Sequence, residues 1–342
     1  MHDRWTAYSN RQVFTLTPSI HALEPGRKPR LLLLPPRMVD AACGISGPTG
    51  IVGGVQFDLG DSRSTQMLAW FKRWRRKRYL RETLVSESDF TKAVGSTPAC
   101  TSLGDEAQAR LRELVTLFLH EKVFEAVGHA EIALQDRLLI AVNACLPILN
   151  LGIDAYDEWT TVIVYPDEFI VGYEKEDETG VVHSGRELRT GEAWERGPLV
   201  ISLRDVHAQT TWEGYNVVIH ECAHKLDMRN GAPNGFPRLH RGMSARRWSE
   251  VFTQAYEDLR RGIERNEGTP IDDYAAESPA ECFAVFSEYF FEAPHRLRTA
   301  YPAVYEQLVQ FYRQDPAVRR RRSEIPTGPE NVSGRSETAA NQ

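Results

Sequence analysis

The chain has 342 residues, of which 42% are hydrophobic and 26% are charged, and this composition is typical of a folded globular protein. No apolar run reaches the roughly 18 residues of a membrane-spanning helix, so we expect no transmembrane segment. The five cysteines contain no CxxC pair, which argues against a disulfide framework and predicts a cytoplasmic location.

The net charge of −6 conceals parts of opposite sign. Residues 1–81 hold 14 Lys and Arg against 5 Asp and Glu, and residues 313–342 hold 6 against 4, so residues 82–312 carry a net charge of −17. Nucleic-acid binding depends on the neutralisation of phosphates, which this acidic body disfavours. We therefore expect no direct binding to nucleic acid, and a partner or substrate that is neutral or basic.

The first 66 residues differ from the rest of the chain. They are rich in Gly, Pro, Ser and Arg and have no sustained hydrophobic period, which predicts a poorly structured extension over residues 1–66. The segment 67–81 that follows is strongly basic and contains Trp70, Phe71 and Trp74. It is either an amphipathic segment that contacts membrane lipid or a solvated entry into the domain.

The body of the chain shows regular patterns. Residues 105–122 place Ala107, Leu111, Leu114, Val115 and Phe118 on one helical stripe. Further helices are predicted over 136–146, 212–226 and most of the chain to about 312, and strands over 160–165, 169–173 and 199–203. This order favours an α+β fold in which a small sheet packs on helices. We expect one domain over residues 67–315 and a disordered tail over 316–342.

Residues 220–224 read His-Glu-Cys-Ala-His, which is the HExxH pattern. Residues i and i+4 share one face of a helix, so both imidazoles can reach one ion. Zinc accepts imidazole nitrogen and, in catalytic sites, needs a third protein ligand and an open position. His220 and His224 are therefore predicted zinc ligands, and Glu221 is the predicted general base that activates water.

The third ligand is not fixed by spacing. The metzincin extension would need Gly and His at the positions of Asp227 and Asn230, so that class is excluded. Asp272 and Asp273 lie in a segment that partly resembles the aspzincin pattern GTxDxxYG, but Ile271 occupies its ligand position. Glu281 is the other candidate, although Ser278-x-x-Glu281 is also a capping box in which the glutamate would bind the helix start.

Two longer segments carry a family resemblance. Residues 220–231 and 273–291 closely resemble the Mlc titration factor A family of zinc peptidases, and the resemblance extends over about residues 67–318. It implies a zincin-like fold, cytoplasmic location, aminopeptidase-like activity and binding to the glucose repressor Mlc. By the same resemblance, one Zn²⁺ is held by His220, His224 and Glu281, Glu221 is the base, and Tyr274 assists at the reaction centre.

The expected function is thus zinc-dependent hydrolysis of peptide bonds by a monomer. Two alternatives remain: a non-catalytic regulatory protein that sequesters a transcription factor such as a Mlc-like repressor, and an aspzincin-like endopeptidase. Asp227 could either hydrogen-bond to a ligand imidazole or be an ordinary surface carboxylate. Cys222 and Cys282 are expected to be small core residues.

Overall fold

The computed structural model describes backbone and side chains over residues 67–128, 131–167, 197–208 and 214–319, except for the side chains of 68 and 69. It also describes the backbone alone over 6–9, 12–17, 49–52, 55–58, 62–66, 169–176, 182–189 and 191–193.

The described strands form three sheets. In chain order they are β1 (Thr6–Ser9), β2 (Gln12–Thr17), β3 (Thr49–Val52), β4 (Val55–Asp58), β5 (Val123–Ala126), β6 (Thr161–Tyr165), β7 (Phe169–Glu176), β8 (Val182–Arg189), β9 (Gly191–Ala193) and β10 (Leu199–Ser202). Strands β1-β2-β7-β8 form one antiparallel sheet, β3-β4 form a hairpin, and β5-β6-β10-β9 form the third sheet.

Helices make up most of the body. They are α1 (Ser62–Glu82), α2 (Glu87–Gly95), α3 (Asp105–Glu121), α4 (Leu134–Cys145), α5 (Leu203–Ala208), α6 (Val217–Asp227), α7 (Ala245–Glu264), α8 (Pro279–Glu292), α9 (Pro294–Ala300) and α10 (Pro302–Tyr312). Among these described helices, none combines the length and the hydropathy that crossing a lipid bilayer requires.

The sheet β5-β6-β10-β9 lies beside α6, the helix that carries the HExxH pattern. Strands β5, β6 and β10 run parallel, and β9 pairs antiparallel with β10 at the edge. The β-branched residues of β6 and β10 explain their strand conformation, and Val162, Val164 and Ile201 are fully buried. Helix α6 packs against β10 and β9, so this small sheet and the helices form an α+β fold.

The predicted stripe of α3 forms part of the core. Leu111, Leu114, Val115 and Phe118 are buried, as the 3.6-residue period predicts. The Phe118 ring packs edge-on against Tyr156 and Trp159. Helices α4 and α8 are buried along most of their length, since apolar residues occupy nearly every face of both.

The helix predicted over 212–226 is shorter than expected. Trp212 lies outside the described residues, Gly214 has a φ of 101°, and α6 begins at Val217. Asn216 is its N-cap, because its side-chain oxygen accepts the backbone N–H of Ile219 at 3.0 Å. The residues from Gly214 to Asn216 are therefore a turn and a cap, and the helix itself begins at Val217.

The basic segment 67–81 belongs to α1 and is anchored to the body on one side. Arg76 contacts Glu121 at 2.6 Å and Asp154 at 2.5 Å, while Trp70, Phe71 and Trp74 are exposed. The structure thus attaches this helix to α3, and the exposed rings of Phe71 and Trp74 stack on each other with their centroids 5.8 Å apart.

The predicted division of the chain stays a prediction. Much of 1–66 and all of 320–342 lie outside the described residues, and strands β1 to β4 and the start of α1 fall within 1–66. Residues 316–319 form a helical turn with Ala317 fully buried, so the ordered body continues past the predicted boundary at 315.

Candidate metal centre

Helix α6 brings the two motif histidines together. Val218, Ile219, Cys222 and Ala223 are fully buried, which fixes the rotation of the helix against the core. His220 and His224 then lie on one face, with their Nε2 atoms 3.2 Å apart.

Helix α8 supplies a carboxylate to the same point. Ser278 is its N-cap, since its hydroxyl accepts the backbone N–H of Glu281 at 3.2 Å, and Pro279 starts the helix. The Glu281 side chain points to the histidines: its Oε2 lies 3.0 Å from Nε2 of His220 and 3.3 Å from Nε2 of His224. The serine half of the predicted capping box is thus formed, since Ser278 accepts the Glu281 N–H. The Glu281 carboxylate faces the imidazoles and not the start of the helix.

These three residues could hold a metal ion, and their spacing fits zinc. Metal–ligand bonds of 2.0–2.1 Å at tetrahedral angles place neighbouring ligand atoms about 3.3 Å apart. The three observed separations are 3.0, 3.2 and 3.3 Å. Among the described residues, His220, His224 and Glu281 form a group in which each side chain offers one ligand atom, and these atoms all lie within 4.8 Å of one another.

Glu288 orients the first histidine. Its Oε1 lies 2.7 Å from Nδ1 of His220, and a carboxylate oxygen only accepts, so this ring nitrogen carries the hydrogen. In the neutral ring Nε2 then presents a lone pair towards the Glu281 carboxylate. Two acceptors at 3.0 Å repel each other unless a proton or a metal ion lies between them, so the arrangement is suited to a positive charge at this point.

Glu288 was not predicted from the sequence, although a signal exists. It lies seven residues after Glu281 and so on the same face of α8. Its Oε2 accepts the backbone N–H of Asn216 at 2.6 Å, which connects it to the cap of α6. Asn216 also donates from its side chain to Glu292 at 2.8 Å and to Asn143 at 2.7 Å. This buried polar network fixes α6 relative to α8.

Charges within the site shift its pKa values. Burial alone would lower the pKa of His220, but the carboxylates of Glu288 and Glu281 outweigh burial and raise this pKa well above its ordinary value. Burial opposes ionisation of Glu281, yet hydrogen bonds and charge from the two histidines lower the pKa of this carboxyl. Burial raises the pKa of Glu288 despite its contact with His220. The carboxylates thus favour a positive charge at the centre.

The predicted catalytic side chains border the three candidate ligands. Glu221 is 4% exposed, and its charge is close enough to act on His220. Tyr274 lies in the 3-10 turn Asp273–Ala276, its ring centroid is 6.1 Å from that of His220, and it is 46% exposed. Glu221 is thus enclosed beside the histidines, whereas Tyr274 is accessible to a ligand.

The three aspartates weighed from the sequence have other contacts. Asp227 is fully buried, so it is not a surface carboxylate. Its Oδ2 accepts from the backbone N–H groups of Asn234 and Gly235 at 2.8 and 2.7 Å, and its Oδ1 makes no hydrogen bond to His224. Asp272 accepts the backbone N–H of Tyr274 at 2.9 Å, and Asp273 accepts from the hydroxyl of Thr269. All three carboxylates therefore stabilise turns.

Cys222 and Cys282 lie in the hydrophobic core at 0% and 1% exposure, as predicted for small apolar residues. Burial raises the pKa of the Cys222 thiol to about 12, which keeps it protonated.

Comparison with known proteins places this geometry in a family. The sequence profile of the glucose-regulated metallo-peptidase M90 family matches residues 71–313. Relatives named Mlc titration factor A, from Yersinia pestis (strain Pestoides F) and Yersinia pseudotuberculosis serotype O:1b (strain IP 31758), are each 38% identical over 231 residues. The matches cover 66% of this chain and 85% of each relative.

The matched region contains α6, the turn before α8 and α8 itself, which together carry both histidines and Glu281. These findings confirm the resemblance drawn from the motif, and the chain belongs to the glucose-regulated metallo-peptidase M90 family.

Proposed function

We propose that this protein is a zinc-dependent peptidase with aminopeptidase-like activity. The observation that carries the proposal is the convergence of His220, His224 and Glu281, whose donor atoms lie 3.0–3.3 Å apart. Two imidazoles and one carboxylate are a ligand set of catalytic zinc sites in which one position stays open. A bound zinc ion would supply Lewis-acid activation of water and of the scissile carbonyl.

Glu221 and Tyr274 have separate roles in this proposal. Glu221 takes a proton from the attacking water and delivers it to the leaving amine, and its enclosed position beside His220 limits competing proton exchange with solvent. The phenol of Tyr274 donates to the oxygen of the reacting carbonyl as negative charge develops there. Its exposure leaves the hydroxyl able to reach a bound substrate.

The sheet edge offers a place for the substrate backbone. Strand β9 is one of the two edge strands of β5-β6-β10-β9, and α6 packs against it. An extended peptide that paired with β9 on the side away from β10 would run alongside the helix that carries the histidines. This position of the sheet edge beside α6 supports peptides as the substrate class and a zincin-like fold as part of the proposal.

The test is Glu221→Gln, which removes the base while keeping the size of the side chain. The variant should bind one zinc per chain and lose hydrolysis of short chromogenic aminoacyl and peptide substrates by at least about a hundredfold. The matched variant His224→Ala should lose both zinc and activity. Full activity in Glu221→Gln would refute the assigned role, and full zinc content in His224→Ala would refute the metal site.

A second candidate function is regulatory binding of a Mlc-like repressor. It rests on the relatives, which are named titration factors of Mlc. Binding of purified Mlc, measured by surface plasmon resonance, should be unchanged in Glu221→Gln if binding and hydrolysis are separate. Absence of any Mlc binding by the native chain would count against this second function.

We also propose a cytoplasmic, monomeric protein. The cysteines in the described part of the chain, Cys100, Cys145, Cys222 and Cys282, are free and buried, as suits a reducing compartment. A molar mass near 38.8 kDa in light scattering would support the monomer, and twice that value would contradict it.

A further inference from the structure

A cavity of about 290 Å³ lies at the end of α6 that follows the histidines. Three arginine residues line it: Arg229 in the turn after α6, Arg238 in the loop that follows, and Arg313 directly after α10. His240 and Asp154 complete its polar lining.

The three arginines have no acidic partner among the described residues. The ion pairs of that part of the chain include none from Arg229, Arg238 or Arg313, and Nε of Arg229 is buried without a hydrogen-bond partner there. Asp154 offsets at most one of the three charges: it pairs with Arg76 at 2.5 Å and with Lys72 at 3.4 Å, but these two cations also pair with Glu121 and Asp157, so that cluster has one negative charge in excess. The cavity therefore has an excess of positive charge.

This excess is unusual in its surroundings. Residues 82–312 carry a net charge of −17, so acidic side chains are plentiful in the domain, yet three arginine residues line this one cavity. Like charges brought together cost free energy, and a bound anion would reverse that cost.

Part of the cavity wall is held in place by hydrogen bonds. Nε2 of His240 donates to the carbonyl oxygen of Phe311 at 2.7 Å. The backbone of Arg313 is left-handed, with a φ of 53°, and the side-chain amide of Asn150 donates to its carbonyl oxygen at 2.6 Å. The loop that presents Arg313 is therefore fixed before any ligand arrives, which reduces the entropic cost of binding.

We propose that this cavity binds a small organic phosphate, a phosphate monoester dianion. The planar fork of a guanidinium matches phosphate oxygens in bidentate pairs, and a dianion balances the charge of the cavity better than a carboxylate does. Leu226, Phe311 and Ala155 supply an apolar wall for the organic part. The volume is near the lower end for small-molecule sites, which limits the ligand to a compact molecule. This proposal is independent of the peptidase activity.

The experiment is calorimetric titration of the full chain with inorganic phosphate, phenyl phosphate and benzoate at pH 8 and constant ionic strength. Phenyl phosphate should bind one per chain and more tightly than inorganic phosphate, because it also contacts the apolar wall. Benzoate should bind at least tenfold more weakly than phenyl phosphate. The double variant Arg238→Gln/Arg313→Gln should bind phenyl phosphate at least tenfold more weakly, since it removes two charge-assisted contacts.

The matched control is Arg246→Gln/Arg265→Gln, which makes the same change of charge at exposed arginines outside the cavity. It should keep the native affinity, and the melting temperature of Arg238→Gln/Arg313→Gln without ligand should not fall below that of the native protein, because the variant removes like charges from one cavity. Equal loss in the control would mean a nonspecific charge effect and overturn the proposal. Unchanged binding in Arg238→Gln/Arg313→Gln, benzoate binding as tight as that of phenyl phosphate, or no binding of either phosphate at millimolar concentration would also overturn it.

Discussion

Glu288→Gln tests whether the tertiary network around the metal site tunes its affinity. The native carboxylate accepts two buried N–H groups, Nδ1 of His220 at 2.7 Å and the backbone N of Asn216 at 2.6 Å. Glutamine has the same shape but only one acceptor oxygen, so its NH₂ group would face one of these donors. One buried donor then loses its partner.

The magnitude follows from that lost contact. An unsatisfied buried donor costs about 1–3 kcal/mol, and the loss of an outer partner of a ligating histidine lowers metal affinity about 10–100-fold. Zinc Kd should therefore rise about 10–100-fold, equivalent to about 1.4–2.7 kcal/mol. Competition with a chromophoric zinc chelator measures the Kd, and thermal unfolding of the metal-free protein measures the change in stability.

Glu292→Gln is the matched control. Glu292 is buried in the same helix, and its Oε1 accepts the side-chain amide of Asn216 at 2.8 Å, a bond that a glutamine carbonyl can still accept. Its zinc Kd should stay within about threefold of native, since no imidazole depends on this carboxylate. If both variants lose stability but neither loses zinc affinity, the network is structural only, and the reasoning about His220 orientation is refuted.

Three further predictions concern the ligands, their protonation and the loop beside them. Glu281→Gln should leave the fold nearly intact and lower zinc occupancy by orders of magnitude, whereas Asp272→Asn should keep its zinc. Metal analysis measures the occupancy, and the reverse result would favour the aspzincin-like site. Zinc affinity should fall as the pH drops through the raised pKa of His220, beginning above about 6.5, because protons compete with the metal; a constant Kd between pH 8 and 6 would contradict this. Gly235→Ala should lower stability by about 2 kcal/mol or more, because φ is 74° and a Cβ would overlap the carbonyl oxygen of Pro279, whereas Gly268→Ala, with no such contact, should change the melting temperature little.

Local patterns were sufficient for much of this protein. The pair His220 and His224 could be predicted because i and i+4 positions meet within one helix, whatever surrounds it. The start of α8 at Ser278 and Pro279 was equally predictable, since capping depends on neighbouring residues. The strands β6 and β10 were found from short β-branched runs bounded by turns.

Prediction was weaker where structure depends on a turn. The sequence predicts that the helix carrying the motif begins at residue 212, but it begins at Val217, because apolar residues before Val217 resemble a helical stripe. The left-handed φ of Gly214 and the cap formed by Asn216 stop the helix there. Helix propensity alone could not show whether the apolar pattern or the turn and cap would decide where the helix begins.

The sequence by itself determined the motif, the family and the helix that carries the two histidines, because those depend on residues close together in the chain. Only the packing of α8 against α6 decided that Glu281 faces the imidazoles while its backbone N–H stays capped by Ser278. The same packing brought Glu288 to His220 across 68 positions of sequence. Two distant parts of the chain, one with Arg229 and Arg238 and the other with Arg313, likewise line one cavity. Such contacts depend on how helices pack in three dimensions, and spacing along the chain does not encode that geometry.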